Sequence, residues 1–185
     1  AATRTPWLAL FLAGLLLCAS VMHHFEGVLA KNVELAFFVP MLIGHGGNSG
    51  GQAVSTVIRA ASKTRGTPHA MRTVLVESIS GMLQSIALAA LVAPALYIFM
   101  GISKPVSAVV ACSLPAIGLF ANACGASLPF LALRLGLDPA VVVGPLMTTS
   151  VDTVGLSIYL TVASTMLSMI EEPQPPPPRW FSGIF

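Results

Sequence analysis

Asp152 is the one carboxylate set deep in an apolar stretch of this 185-residue chain, in the run "VVVGPLMTTSVDTVGLSIYLTVASTML". An acidic side chain near the centre of a membrane helix costs about 2.5–3.5 kcal/mol on insertion scales, so it calls for a partner. Thr148 lies one helical turn before it on the same face, and Thr149 and Thr153 flank that face. Pro145 has no N–H, which frees a carbonyl about one turn upstream of it. Carboxylate, hydroxyl and carbonyl are oxygen ligands, the donors preferred by hard cations such as Mg²⁺ or Ca²⁺. One carboxylate is too little to cage a bare Ca²⁺. Mg²⁺ gives up water reluctantly and is often held through its water shell by one or two carboxylates. Two chains would set two copies of Asp152 around one axis. An Asp152 protonated or capped by a neighbouring helix would need no ion at all.

The second constellation is "PMLIGHGGNSGGQAVSTVIRA", starting at Pro40. His45, Asn48, Gln52, Ser55 and Arg59 recur at spacings of three and four and share one helical face. Gly44, Gly47 and Gly51 run beside that stripe, while Gly46 and Gly50 lie elsewhere on the same turns. Glycines at helical spacing let a second helix approach closely. Packing alone leaves Asn48 and Gln52 unexplained, because polar groups at bilayer depth face a partner or a water-filled path. The expectation is a path lined by Asn48, Gln52, Pro145 and Thr149.

Other groups read as structural. Glu77 sits near Arg72, an expected ion pair, and His23, His24 and Glu26 read as interface residues. Asn122 and Gly125 suit helix packing, and Cys18, Cys112 and Cys124 suit free thiols in apolar runs. No nucleophile–base pair or phosphate loop of workable spacing is present, which argues against an enzyme.

These residues need a scaffold, and composition decides which kind. The chain is 55% hydrophobic and 9% charged, against about 25% charged in soluble domains. It reads as an all-α integral protein of the lipid bilayer. A net charge of +2 gives no reason to expect a nucleic-acid partner. Five segments are apolar enough over about 20 residues to span: 6–28, 33–60, 72–100, 105–133 and 139–170. They form one domain over 1–172. Residues 173–185, "PQPPPPRWFSGIF", read as an extended, disordered tail. The first segment has the look of a signal h-region but no cleavage site into a soluble domain, so it reads as a retained helix.

Basic residues set the orientation. With the N-terminus cytoplasmic, the inside holds Arg4, Arg59, Lys63, Arg65, Arg72 and Arg134, and the outside Lys31, Lys104 and Arg179. That asymmetry satisfies the positive-inside rule and places the C-terminus outside. "PMLIGHGGNSGGQ" is also echoed weakly by "PAIGLFANACGAS" from Pro115, in the manner of a transporter repeat.

The two motifs, with "FEGVLAKNVELAFFVPML" and "GLDPAVVVGPLMTTSVDTVGLSIYL", resemble the signature spans of MgtE-type magnesium channels, related to animal solute carriers for magnesium. The likeness covers residues 4–170. It implies a homodimer of five-helix subunits, with the pore between the second and fifth spans of both chains. It implies hydrated Mg²⁺ at Asp152, helped by backbone oxygens of Gly44, Gly47 and Thr148 and by positions Gly51, Ser55 and Gly144. Mn²⁺, Co²⁺ and Ca²⁺ are candidate surrogates in vitro. Gly51 and Gly144 stand where some members carry Asn, so those two side-chain contacts are missing here. Many members carry regulatory domains ahead of the first span, including a CBS pair that senses Mg²⁺. The competing expectation is a proton- or Na⁺-coupled carrier or exporter of Mg²⁺ or another small solute, with Asp152 as its coupling group.

Overall fold

A computed structural model describes residues 5–64 and 70–170, and all the regular structure in them is helical. The order is α1 Thr5–His24, α2 Glu26–Lys31, α3 Glu34–Thr64, α4 Ala70–Phe99, α5 Lys104–Arg134 and α6 Pro139–Ile170. The proline-rich tail and residues 65–69 lie outside the described residues.

Local chemistry sets the ends. Asp138 caps α6, its Oδ1 accepting from the Ala140 amide at 2.9 Å, and Pro139 occupies the first helical position. Glu34 Oε2 at the start of α3 accepts from the Ser103 hydroxyl at 2.9 Å and so ties α3 to the head of α5. Gly101 (φ 66°) follows α4 and Gly136 (φ 68°) follows α5. Both chain reversals use the left-handed backbone that glycine adopts without strain. The first expected segment, 6–28, is interrupted: α1 stops at His24 and α2 starts at Glu26, turning the chain around Phe25.

α5 is the post around which the others stand. It packs against α3, α4 and α6, while α1 packs against α6. Of its most apolar stretch 56% is buried, against 17% for α4, so α5 is interior and α4 peripheral. The core joins Leu35, Phe38 and Leu42 of α3 to Val109, Val110 and Leu114 of α5 and Leu156, Tyr159 and Leu160 of α6. The Tyr159 hydroxyl donates to the Leu35 carbonyl at 3.0 Å, satisfying a phenol inside that core.

The outward faces are apolar. Leu8, Leu12 and Leu16 of α1 and Leu75, Ile79, Leu83 and Leu91 of α4 are all exposed. Such a surface suits lipid rather than water. By length and composition α4, α5 and α6 can cross a membrane. α1 is a shorter apolar helix, and α3 has the length but is diluted by its central glycines and amides.

Candidate functional site

α3 and α6 pack side by side, and their glycines show the register. A Cβ on Gly46 would meet Val151 Cγ1 at 2.7 Å, and one on Gly50 would meet the Met147 side chain at 2.9 Å. As α3 advances by one turn, α6 retreats by one: the two helices run antiparallel. Asp152, next to Val151, is therefore level with the Gly44–Gly47 turn. Thr148, next to Met147, is level with Gly51. One further turn brings Ser55 level with Gly144. Motifs nearly a hundred residues apart thus form one seam.

The seam has a packed side and an open side. On the open side Gly44, Asn48, Gln52, Ser55, Gly144, Pro145 and Thr148 are exposed, and Gly47, Gly51 and Asp152 are half-buried. A Cβ added at Gly44, Gly47, Gly51 or Gly144 would meet no described atom within 4 Å. Packing among the described residues gives no reason for glycine at these four positions. The hydroxyls here turn back on the helices. Ser55 donates to the Gly51 carbonyl at 3.0 Å, and Thr148 donates to the Pro145 carbonyl at 2.9 Å. Pro145 cannot donate to the Val141 carbonyl four residues earlier. The Asp152 carboxylate, the Ser55 and Thr148 hydroxyls and the amides of Asn48 and Gln52 bring oxygen atoms to this face.

Three readings of the sequence need adjusting. Thr149 and Thr153 face α1 rather than sharing the open side with Thr148. A Cβ on Gly14 would meet Thr149 Cγ2 at 2.5 Å, and Cys18 Sγ lies 3.4 Å from Thr153 Oγ1. His45 leaves the stripe of Asn48, Gln52 and Ser55, its Nε2 being hydrogen-bonded to Ser85 Oγ of α4 at 2.8 Å. Arg72 and Glu77 make no ion pair among the described residues. Five residues apart, they point to different sides of α4.

Asn122 suits helix packing in the sequence, and the structure adds its partners in a buried polar cluster behind the open face. Asn122 Nδ2 donates to Ser49 Oγ at 2.6 Å and to the Gly118 carbonyl at 2.8 Å. Gly81 of α4 lies directly against the Asn122 side chain, and Gly118 against Ser85. The spacing of Gly81 and Ser85, one turn apart on α4, is the sequence signal that pairs with Gly118 and Asn122 on α5. Ser85, Ser49 and Asn122 thereby fix how α3 rotates about its own axis, and with it which residues of α3 face outward.

The family model described as "Divalent cation transporter", MgtE, matches residues 39–162. The chain belongs to the MgtE family. The matched stretch contains the entire α3–α6 seam from Gly44 to Asp152. Among curated relatives, the magnesium transporter MgtE of Thermus thermophilus is 39% identical over 168 residues, covering 90% of this chain and 37% of the relative. That of Bacillus subtilis is 33% identical over 165 residues, covering 89% of this chain and 36% of the relative. That of Enterococcus faecalis is 29% identical over 171 residues, with 90% and 37% covered. The chain therefore spans a little over a third of the length of these relatives. MgtE proteins are transporters, not enzymes.

Proposed function

We propose that this chain is the pore of a Mg²⁺ transporter of the inner or plasma membrane. Two copies would face each other across the open side of the α3–α6 seam. The observation that carries the reading is this face itself. Four glycines with no described atom in front of them, two exposed amides and Asp152 occupy one strip of an otherwise apolar exterior. Lipid cannot solvate such a strip, whereas a water-filled path can. One chain cannot enclose an ion with it, and a second copy related by a twofold axis would close it.

In that arrangement two Asp152 carboxylates face one another near mid-membrane. Like charges so placed repel unless a cation lies between them. A divalent ion that keeps its waters offers hydrogens to both carboxylates and to the backbone oxygens of Gly44, Gly47 and Thr148. The absence of side chains at Gly44, Gly47, Gly51 and Gly144 leaves the width that a hydrated ion needs. Ser55 and Gly144 would form the next level along the path, without the side-chain amide that Asn would supply at Gly51 or Gly144. A monovalent ion would gain half the electrostatic attraction, which favours Mg²⁺.

All five long helices, α1 and α3 to α6, would cross the bilayer. Arg59, Arg72 and Arg134 would sit at the cytoplasmic end with the N-terminus, and the C-terminus would lie outside. The reading is supported by the names of the curated relatives, all magnesium transporters. The decisive measurement is Mg²⁺ uptake into liposomes containing the purified chain, with and without a Na⁺ or proton gradient. Uptake that follows the Mg²⁺ gradient alone is expected. Strict dependence on the second gradient would replace the pore with a coupled carrier.

A further inference from the structure

The turn of α3 that stands level with Asp152 reads Gly44, His45, Gly46, Gly47. Between Ile43 and Asn48 it carries one side chain, that of His45. Glycine is the poorest helix former after proline, and its backbone has the most freedom to lose. Gly46 lies against Val151 and Ile117, an approach that leaves no room for a Cβ and gives the turn nothing to interlock. Gly44 and Gly47 have no described atom in front of them. The turn is thus held by bare backbone on one side and by a single side chain on another.

That side chain has a fixed partner. His45 is half-buried, and its Nε2 lies 2.8 Å from Ser85 Oγ of α4. Ser85 is fully buried and seated in the notch that Gly118 leaves on α5, so its hydroxyl has little room to follow a moving imidazole. The neighbouring anchors of α3 lie outside the turn. Leu42 is fixed in the apolar core before it, and Ser49 is bonded to Asn122 after it, beyond Gly46 and Gly47. We propose that His45 is a positioning residue of the ion path. Its bond to Ser85 fixes the direction in which the Gly44–Gly47 turn presents its backbone oxygens at the level of Asp152. The imidazole points away from the open face and acts through the backbone, without touching the ion. α4, otherwise peripheral, thereby has a direct hold on that level of the path. The inference rests on the pore reading given above.

The test measures Mg²⁺ flux into liposomes over a range of Mg²⁺ concentrations, and thermal unfolding without Mg²⁺, for the purified full chain. His45→Leu and Ser85→Ala each remove the bond from one end. Each should raise the half-saturating Mg²⁺ concentration about fivefold, the order expected for one lost hydrogen bond. The double variant should lose no more than either single one, because both remove the same bond. His45→Gln sets an amide at the reach of Nε2 and should bring half-saturation back to within about twofold of the wild type. Should His45→Leu misfold, checked by circular dichroism, Ser85→Ala and His45→Gln carry the same comparison. A lowered unfolding temperature with half-saturation unchanged assigns the bond to packing and overturns the proposal. So does a folded His45→Gln protein as weak as Ser85→Ala, or losses that add in the double variant. Asp152→Asn, run alongside, keeps the two readings apart. Wild-type flux in that variant overturns the pore reading itself, whereas its loss beside unaltered His45 and Ser85 variants overturns only the positioning role.

Discussion

On one side of α3, Gly46 and Gly50 are pressed against Val151, Ile117, Met147 and the Ala121 carbonyl; on the other, Gly44, Gly47 and Gly51 face no described atom within 4 Å. The same residue type answers two different demands within seven positions. Where glycine is packed, it brings backbones together, as at Gly125, whose Cα-side space is filled by the Gly50 backbone. Such approach replaces hydrophobic driving force between helices in lipid, where tails and side chains are equally apolar. Where glycine is open, its missing side chain contributes nothing to the packing of one chain. Its value there is the room and the carbonyls it leaves on the exposed surface.

Four substitutions break or sharpen that contrast. The largest effect is expected from Gly125→Val on the packed side. The new side chain runs into backbone, which cannot rotate away, and overpacking of that kind costs about 1–3 kcal/mol or more. The expected outcome is loss of monodisperse protein in size-exclusion chromatography; a well-folded variant would show that α3 and α5 are not held this tightly.

Asp152→Asn comes next, and it separates function from fold. Shape is kept while charge is lost, and the amide presents donors as well as an acceptor. Mg²⁺-dependent thermal stabilisation and Mg²⁺ flux in liposomes should fall at least about tenfold, equivalent to ~1.4 kcal/mol. The helical content should stay as in the wild type. Flux and stabilisation equal to the wild type would remove Asp152 from the path.

Asn122→Ala probes the polar cluster that sets the rotation of α3. It leaves Ser49 without its partner in a buried place, a loss of about 1–3 kcal/mol. A lowered unfolding temperature together with reduced flux is expected, since the open face would lose its fixed direction. Unfolding at the wild-type temperature would mean that the cluster is dispensable.

The smallest structural effect belongs to Gly51→Ala on the open side. With no described atom in front of it, the added methyl should leave stability unchanged or raise it by about 0.5–1 kcal/mol through helix propensity. Flux should nevertheless drop, because the methyl would enter the path of two chains at once. Destabilisation matching that of Gly125→Val would erase the distinction between the two sides of α3.

Much of this was readable along the chain. Apolar runs of helical length, the lone deep Asp152 and the polar stripe of α3 are local properties, fixed by composition and by the 3.6-residue period. The stretch "HHFEGVLAKN" reads as a partly helical hairpin, which the short helix α2 bears out. The first span nonetheless stops at His24 rather than running to residue 28, because only the turn at Phe25 separates α1 from α2. The spacing of His45 groups it with Asn48 and Gln52. Its place is decided instead by Ser85 on α4. Thr149 flanks the face of Thr148 and Asp152 and reads as part of the path's lining, yet adjacent residues on a helix differ by about 100° in direction, and α1 covers Thr149.

By itself the sequence determined a helical chain built for lipid, with oxygen ligands concentrated in two of its segments. These follow from residue type and spacing within a single helix. Only the tertiary structure decided that the two segments lie antiparallel, that Asp152 stands level with Gly44 and Gly47, and which glycines are packed and which are open. The reason is that helical periodicity states which residues share a face, but not what that face meets. The partner is chosen by the fit of small residues on α5 against Gly46 and Gly50, a property of surfaces distant in sequence.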